Sequence, residues 1–306
     1  MQVDIQHKPK TFVVINPMAG VLEAAEVRER IEAILQAHDL LCEFYETTPE
    51  ESPRQRVREA VRQGFKLFVS AGGDGTLSSV ASGLVNTQVP LVIIPSGTWN
   101  ALARNLDIPL QVDQALDLVF REHTIRTIDA MQVGDEFYVL NVSTGLGSRT
   151  MKQVKRKEKR YLGKLPDLWR GFTQILDFPS YRFDLKIDGR NTMVHATELL
   201  VANSKILGIK PLQLDPNIHM DDGILNVCRL YAKSFGDYLS LACSMLTGTQ
   251  DRNWNVLCVE ARHEVVINSN RKLLVQGDGD IIGRLPVTIR IHPKAISIVT
   301  PVRAEP

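Results

Sequence analysis

Three times before residue 107, a short apolar run ends in a loop of small, turn-forming residues and gives way to a helical pattern. Phe12-Val13-Val14-Ile15 leads into Asn16-Pro17-Met18-Ala19-Gly20, and helical spacing follows from about Glu23 through Ile31, Ile34 and Leu35. Phe65-Lys66-Leu67-Phe68-Val69 leads into Ser70-Ala71-Gly72-Gly73-Asp74-Gly75-Thr76, then the small-rich, helix-like stretch Leu77 to Val85. Leu91-Val92-Ile93-Ile94 leads into Pro95-Ser96-Gly97-Thr98-Trp99-Asn100, then Ala101 to Leu106. Strands alternating with helices in this way predict a mainly parallel sheet, with ligands in the crevice beyond the carboxyl ends of its strands. Backbone N–H groups and helix dipoles aimed at one spot suit an anion, and glycines let the backbone come close to it. An aspartate amid such a loop repels a bare phosphate, so Asp74 predicts a divalent cation between its carboxylate and a nucleotide. Alone, Gly-Gly-Asp-Gly is as often a plain glycine turn after a buried strand. The two companion loops favour the anion site. None of the three carries the Gly-Lys-Ser/Thr of a Walker A loop or a Gly-x-Gly-x-x-Gly fingerprint.

Near residue 128 the pattern changes to short strands and turns. Phe183-Asp184-Leu185-Lys186-Ile187 alternates, and Asp188-Gly189 supplies a hairpin turn that favours positive φ. Val256 to Ile267, Lys272 to Gln276 and Val287 to Ile291 read as strands, and Phe235 to Leu246 as a helix. The expectation is an α/β nucleotide-binding domain over 1–128, a mainly antiparallel β domain over 129–292, and a cleft between them. With 306 residues, 44% of them apolar, the chain can bury a large core. A net charge of +1 gives no ground for a nucleic-acid partner. There is no apolar run of the eighteen or so residues a spanning helix needs, and Met1 to His7 lacks the apolar stretch of a signal peptide. Cys42, Cys228, Cys243 and Cys258 are scattered among apolar neighbours without Cys-x-x-Cys spacing and read as reduced core thiols. A cytoplasmic protein is expected.

Lys152-Gln153-Val154-Lys155-Arg156-Lys157-Glu158-Lys159-Arg160 is the one strong charge asymmetry. Such a run is more often a solvated face; its functional reading is peripheral attraction to an anionic membrane surface. Leu162, Leu165, Leu168, Trp169, Phe172, Ile175 and Leu176 follow at helical spacing, a pattern of core packing first and of an acyl groove second. Asp278, in Gly277-Asp278-Gly279-Asp280, and Asp221-Asp222-Gly223 each read on their own as turn aspartates.

Taken in order, Asn16 to Gly20, Gly72 to Thr76, Pro95 to Asn100 with Ala103-Arg104, Asp215 to Gly223 and Asp278-Gly279-Asp280 resemble the diacylglycerol kinase catalytic-domain family, which includes bacterial lipid kinases and the sphingosine kinases. The resemblance covers nearly the whole chain. Gly-Gly-Asp-Gly-Thr alone is shared with NAD kinases and phosphofructokinases; Gly-Thr-x-Asn with a downstream Asp-Asp-Gly points to the lipid-kinase branch. This chain has Asn100-Ala101 where the family has Asn-Asp, and Asp278-Gly279-Asp280 where it has Asp-Gly-Glu. The resemblance implies an ATP- and Mg²⁺-dependent kinase acting on a lipid hydroxyl, diacylglycerol first and a sphingoid base or related alcohol second. It implies that Asn16, Pro17, Met18, Ala19, Gly20, Gly72, Gly73, Asp74, Gly75, Thr76 and Thr98 surround ATP, with Asn100 holding loop geometry and Thr48, or its neighbour Thr47, near the nucleotide. Asp278 is implied as general base, with Asp280 a second carboxylate near the metal or substrate. A structural Mg²⁺ is implied at the Asp222 carboxylate and the main-chain carbonyls of His219 and Ile224. The segment 293–306 is implied to return to the first domain. Oligomeric state is left open, a homodimer being one option. An NAD kinase-like enzyme with a soluble acceptor and a non-catalytic nucleotide-binding sensor stay open as alternatives.

Overall fold

The computed structural model describes residues 3, 7–18, 24–145, 179–206, 213–247, 253 and 255–302. The first part alternates strand and helix: β1 (Thr11–Ile15), α1 (Ala24–Ala37), β2 (Cys42–Glu46), α2 (Pro53–Arg62), β3 (Leu67–Gly72), α3 (Asp74–Gly83), β4 (Leu91–Pro95), α4 (Ala101–Asn105) and α5 (Val112–Asp117). β1, β3 and β4 are buried along their whole length, as parallel strands covered on both faces must be. α1 turns Val27, Ile31 and Leu35 inward at i, i+4 and i+8 and leaves its charges outside. α2 opens on Pro53, whose missing N–H costs nothing in a first turn.

The chain then becomes strand-rich: β5 (His123–Val133), β6 (Glu136–Tyr138), β7 (Asn141–Gly145), β8 (Tyr181–Ile187), β9 (Arg190–Ala196), β10 (Glu198–Ala202), β11 (Leu225–Leu230), α6 (Phe235–Thr247), β12 (Val256–Ala261), β13 (Glu264–Ser269), β14 (Leu274–Gly277), β15 (Asp280–Arg284) and β16 (Val287–Pro301). Among the described residues these strands make two sheets. One runs β2-β1-β3-β4-β16-β13-β8-β9, with β5 against β16 and β6 against β5. Its first four strands are parallel; β16 joins them beside β4 through Ile298 and Leu91, and pairs antiparallel with β5 and β13. The parallel sheet therefore passes into an antiparallel one through a single long strand. Residue 128 lies inside β5, whose partners in β16 run from Arg290 to Pro301.

The second sheet, β12-β11-β10-β7-β14-β15, is wholly antiparallel. Met131, Phe183, Val265 and Ile289 from one sheet meet Val142, Val201, Val227 and Val275 from the other in the core of a β-sandwich. The architecture is thus an α/β domain with a mostly parallel sheet, followed by an antiparallel sandwich. In β8, Tyr181, Phe183 and Leu185 face in while Arg182, Asp184 and Lys186 face out, the alternation of a sheet wet on one side.

One expectation is overturned. Cys228 and Cys258 are not free thiols: they face each other across β11 and β12, with Cα atoms 4.0 Å apart, and are joined in a disulfide. Thirty residues separate them in sequence, so nothing but strand register brings them together. Cys42 and Cys243 are free.

Candidate active site

β1, β3 and β4 are adjacent and parallel, so the loops that follow them leave from one edge of the sheet. Asn16 ties the first loop to the second: its Nδ2 donates to Thr76 Oγ1 (2.9 Å), and its Oδ1 accepts the Met18 amide (2.9 Å). Gly73 caps α3, so Asp74, Gly75 and Thr76 form a first turn with unspent amides and a positive dipole end. The third loop lies directly on it. A Cβ on Gly97 would stand 2.5 Å from the Gly73 Cα, so only glycine fits there. Asn100, left-handed at φ 50°, folds that loop by accepting the Gly97 amide (2.9 Å) and donating to the Gly97 carbonyl (2.8 Å). Asp74 Oδ1 accepts the Leu102 amide (3.2 Å), which joins the starts of α3 and α4.

Asn16, Pro17, Met18, Gly72, Gly73, Asp74, Gly75, Thr76, Thr98 and Asn100 therefore share one edge. Thr47 and Thr48 follow β2, the next strand out, and the Thr47 amide donates to the Ile15 carbonyl (2.8 Å). Ala19, Gly20, the basic stretch 152–160 and the apolar pattern 162–176 lie outside the described residues.

Asp278 reaches the flank of α3 from the other domain. Asp278-Gly279 is the two-residue turn between β14 and β15, with φ of 49° and 90°. The Asp278 carboxylate turns back into the protein. Its Oδ1 accepts the amides of Leu140 (2.8 Å) and Asn141 (3.0 Å), and its Oδ2 accepts the amide of Val139 (2.7 Å) and the Ser78 hydroxyl. Burial pushes this carboxyl above the usual range, while the Ser78, Val139, Asn141 and Leu140 hydrogen bonds pull it down. Ser78 lies in α3, one turn beyond Asp74, so a single helix presents the Asp74 loop at its start and touches Asp278 along its side. Tyr138 packs against the hairpin, where a Cβ on Gly277 would meet its ring at 2.4 Å. Asp280 stands at the first position of β15.

Asp222 sits apart from this crevice, in a second acidic group. Asp222 Oδ1 accepts the Ile224 amide (2.9 Å). Partial desolvation raises its carboxyl, Asp221 adding to the rise and the Ile224 bond and His219 opposing it. Asp221 is held by Arg126 through two bonds (2.6 and 2.9 Å). Asp129, fully buried, accepts the amides of Gly223 (2.7 Å) and Lys294 (2.7 Å). Burial raises its carboxyl, the two amides lower it, and Asp222 and Asp221 raise it. Three carboxylates thus lie near one guanidinium, with His219 acting on Asp222 as well. Among the described residues no three His, Cys, Asp or Glu side chains gather to hold a metal, so side chains alone do not form a site there.

With this geometry in view, the comparisons are specific. The family model of the diacylglycerol kinase catalytic domain matches residues 10–133, and that of the YegS C-terminal NAD kinase beta sandwich-like domain matches residues 140–300. The chain belongs to the diacylglycerol kinase family. A diacylglycerol kinase of Bacillus subtilis is 26% identical over 90% of each chain. An uncharacterized protein of Synechocystis is 27% identical over 96% of this chain and 71% of its own. Two solved Bacillus anthracis structures superimpose over 95% of this chain: one at 22% identity and a TM-score of 0.80 over 95% of its length, the other, a diacylglycerol kinase, at 18% and 0.71 over 97%. Among the described residues of this family member, no helix is long and apolar enough to cross a membrane.

Sequence reasoning missed Ser78, the amides of 139–141 and Asp129. A lone carboxylate in the apolar run Ile128-Asp129-Ala130-Met131 was a signal for the last; Ser78 in a small-rich helix gave none.

Proposed function

We propose that this kinase transfers the γ-phosphoryl group of ATP to the hydroxyl of a lipid, with diacylglycerol the first acceptor and a sphingoid base or related long-chain alcohol the second. The observation that supports it most is the meeting of two unlike parts at α3: an amide-rich, glycine-lined edge at its start, and a carboxylate from the other domain on its flank. Phosphoryl transfer needs positioning and charge neutralisation more than covalent help. The amides of 73–76 and the Gly97 loop would cradle phosphate oxygens, with Asn16 and Asn100 holding the shape of the loops. Asp74 offers the carboxylate for a metal there, and Mg²⁺ bound to the nucleotide would neutralise the charge that builds on the transferring group. Asp278 would take the acceptor's proton, and the upward push of burial on its carboxyl suits that role. Asp222, with the carbonyls of His219 and Ile224, would hold a second Mg²⁺ of structural kind. The B. subtilis relative's name supports diacylglycerol as the first acceptor to test.

The experiment is a panel of lipids in mixed micelles with labelled ATP and Mg²⁺, with NAD as control acceptor. Label on diacylglycerol or a long-chain alcohol supports the proposal. Label on NAD alone overturns it in favour of an NAD kinase, and nucleotide binding without transfer leaves a sensor.

A further inference from the structure

Asp278 has a twin. Asp188-Gly189, the turn between β8 and β9, repeats the local geometry of Asp278-Gly279: φ is 47° and 85° in one, 49° and 90° in the other. Each aspartate donates its amide to the first carbonyl of a strand outside its hairpin, Glu264 of β13 and Asn141 of β7, both 3.0 Å away. Each carboxylate accepts three consecutive amides, Arg262 to Glu264 in one case and Val139 to Asn141 in the other. Among the described residues, Asp188 stops there. Its brace is complete with backbone donors alone, at an exposed corner of the sandwich. Asp278 takes one donor more, Ser78, from the opposite domain.

The extra donor is therefore not needed for the turn, and it is of a particular kind. A carboxylate offers about four acceptor positions, and Asp278 has all four filled. Three of the donors are main-chain amides fixed by β7 and the connection before it. The fourth is an aliphatic hydroxyl, the same group that an alcohol acceptor would bring. We infer that the Ser78 hydroxyl holds the acceptor's place at Asp278 Oδ2, and that the acceptor hydroxyl replaces it when the lipid binds. A serine inside a helix has a second partner within reach, the carbonyl four residues back, here that of Asp74. One side-chain rotation thus frees Oδ2 without breaking the brace. The acceptor O–H then donates to Oδ2. As its oxygen bonds to the γ-phosphorus and the γ-phosphorus to bridging-oxygen bond breaks, the proton passes to Asp278 and ADP leaves with the electron pair.

This rests on the proposed lipid kinase reaction, and one set of assays separates the two. The wild type, Ser78→Ala and Ser78→Thr are compared for lipid KM and for melting temperature. Removing the hydroxyl leaves a buried acceptor short of a donor, which the incoming alcohol then fills. Ser78→Ala should melt lower yet show a lipid KM about tenfold smaller, since a lost donor at a charged acceptor is worth about that factor. Ser78→Thr, which keeps a hydroxyl, should hold the KM near that of the wild type. Ser78→Cys, similar in shape with a weaker donor, should lower it part-way and serves if the alanine variant does not fold. An unchanged or raised KM in Ser78→Ala beside an active wild type overturns the inference and leaves the reaction standing. So does a rate at saturating lipid that collapses in Ser78→Ala and returns in Ser78→Thr, because the proton would then travel through Ser78. A wild type inactive on every lipid removes the reaction and the inference together.

Discussion

Replacing Asp278 with asparagine tests the base and the brace at once, and the structure says the two cannot be separated cleanly. The substitution preserves shape but turns one acceptor oxygen into an NH₂ group. Whichever way the amide lies, that NH₂ faces two former donors: Val139 N–H and Ser78 on one side, or the Leu140 and Asn141 amides on the other. The Ser78 hydroxyl can reverse and accept, so the favoured orientation places the NH₂ at Oδ2 and leaves the Val139 amide unpaired. An unpaired buried donor costs about 1–3 kcal/mol, and the remaining bonds lose the extra strength a charged acceptor gives them. A total of about 3 kcal/mol corresponds to a fall in melting temperature of about 5 °C for a chain of this size. Catalysis should drop by about 10² to 10⁴, the usual contribution of a general base, or about 3–5 kcal/mol of barrier, with ATP affinity held. The assays are differential scanning calorimetry, nucleotide titration and initial rates over a Mg²⁺ series, all on one preparation. Unchanged melting would refute the brace, and an unchanged rate at ordinary Mg²⁺ would refute the base. Recovery of the rate at high Mg²⁺ would make Asp278 a metal ligand instead.

Asp74→Ala should nearly abolish turnover while melting close to the wild type, since among the described residues its carboxylate bonds to the Leu102 amide alone; full activity in a folded variant would remove it from the phosphate site. Gly97→Ala should weaken ATP binding by about tenfold or more, because its Cβ would press on the Gly73 backbone and part the two loops; isothermal titration would detect the change, and unaltered affinity would mean that the loops do not act as a unit. Mg²⁺ should raise the melting temperature of the wild type and not of Asp222→Ala, by an amount equal to about 2.7 kcal/mol of stability at a hundredfold excess over its dissociation constant. The Asp222 and Asp129 carboxyls titrate above their ordinary values in the fold, and a folded state that binds protons more tightly gains stability as pH falls through that window. Cation binding needs the charged form, so the Mg²⁺ effect should be full above those raised values and fade as pH falls through them. A pH-independent Mg²⁺ effect would contradict this assignment. Replacing Lys155, Arg156, Lys157 and Lys159 with glutamine should weaken binding to anionic vesicles at low salt; equal binding would return the stretch to an ordinary solvated face.

What the sequence disclosed and what it hid divide along the range of the interactions. The strands β1, β3 and β4 and the loops after them were legible because apolar runs, glycines and helix starts are local signals. Adjacency in a parallel sheet then follows from the βαβ pattern. The hairpin at Asp188-Gly189 and the helix from Phe235 were legible for the same reason. The disulfide was not, since Cys228 and Cys258 meet only through the register of β11 on β12. Ser78 was not, since its meaning depends on a residue two hundred positions away. Asp278 shows the limit most clearly, because the two readings of it compete for one carboxylate. As a turn residue it resembles Asp188 bond for bond, so local sequence reasoning assigned the bland role to both with equal justification. The two differ only in what lies opposite: solvent at the exposed Asp188 corner, and the flank of α3 at Asp278. That difference is carried in energy as well as position. At Asp188 desolvation, the largest single influence, is outweighed by three amides and His263 together, and the carboxyl falls below its ordinary value; at Asp278 burial outweighs a hydroxyl and three amides, and the carboxyl rises. What a turn-held carboxylate faces, the flank of α3 at Asp278 and solvent at Asp188, is thus a property of the fold rather than of any neighbouring residue in the chain.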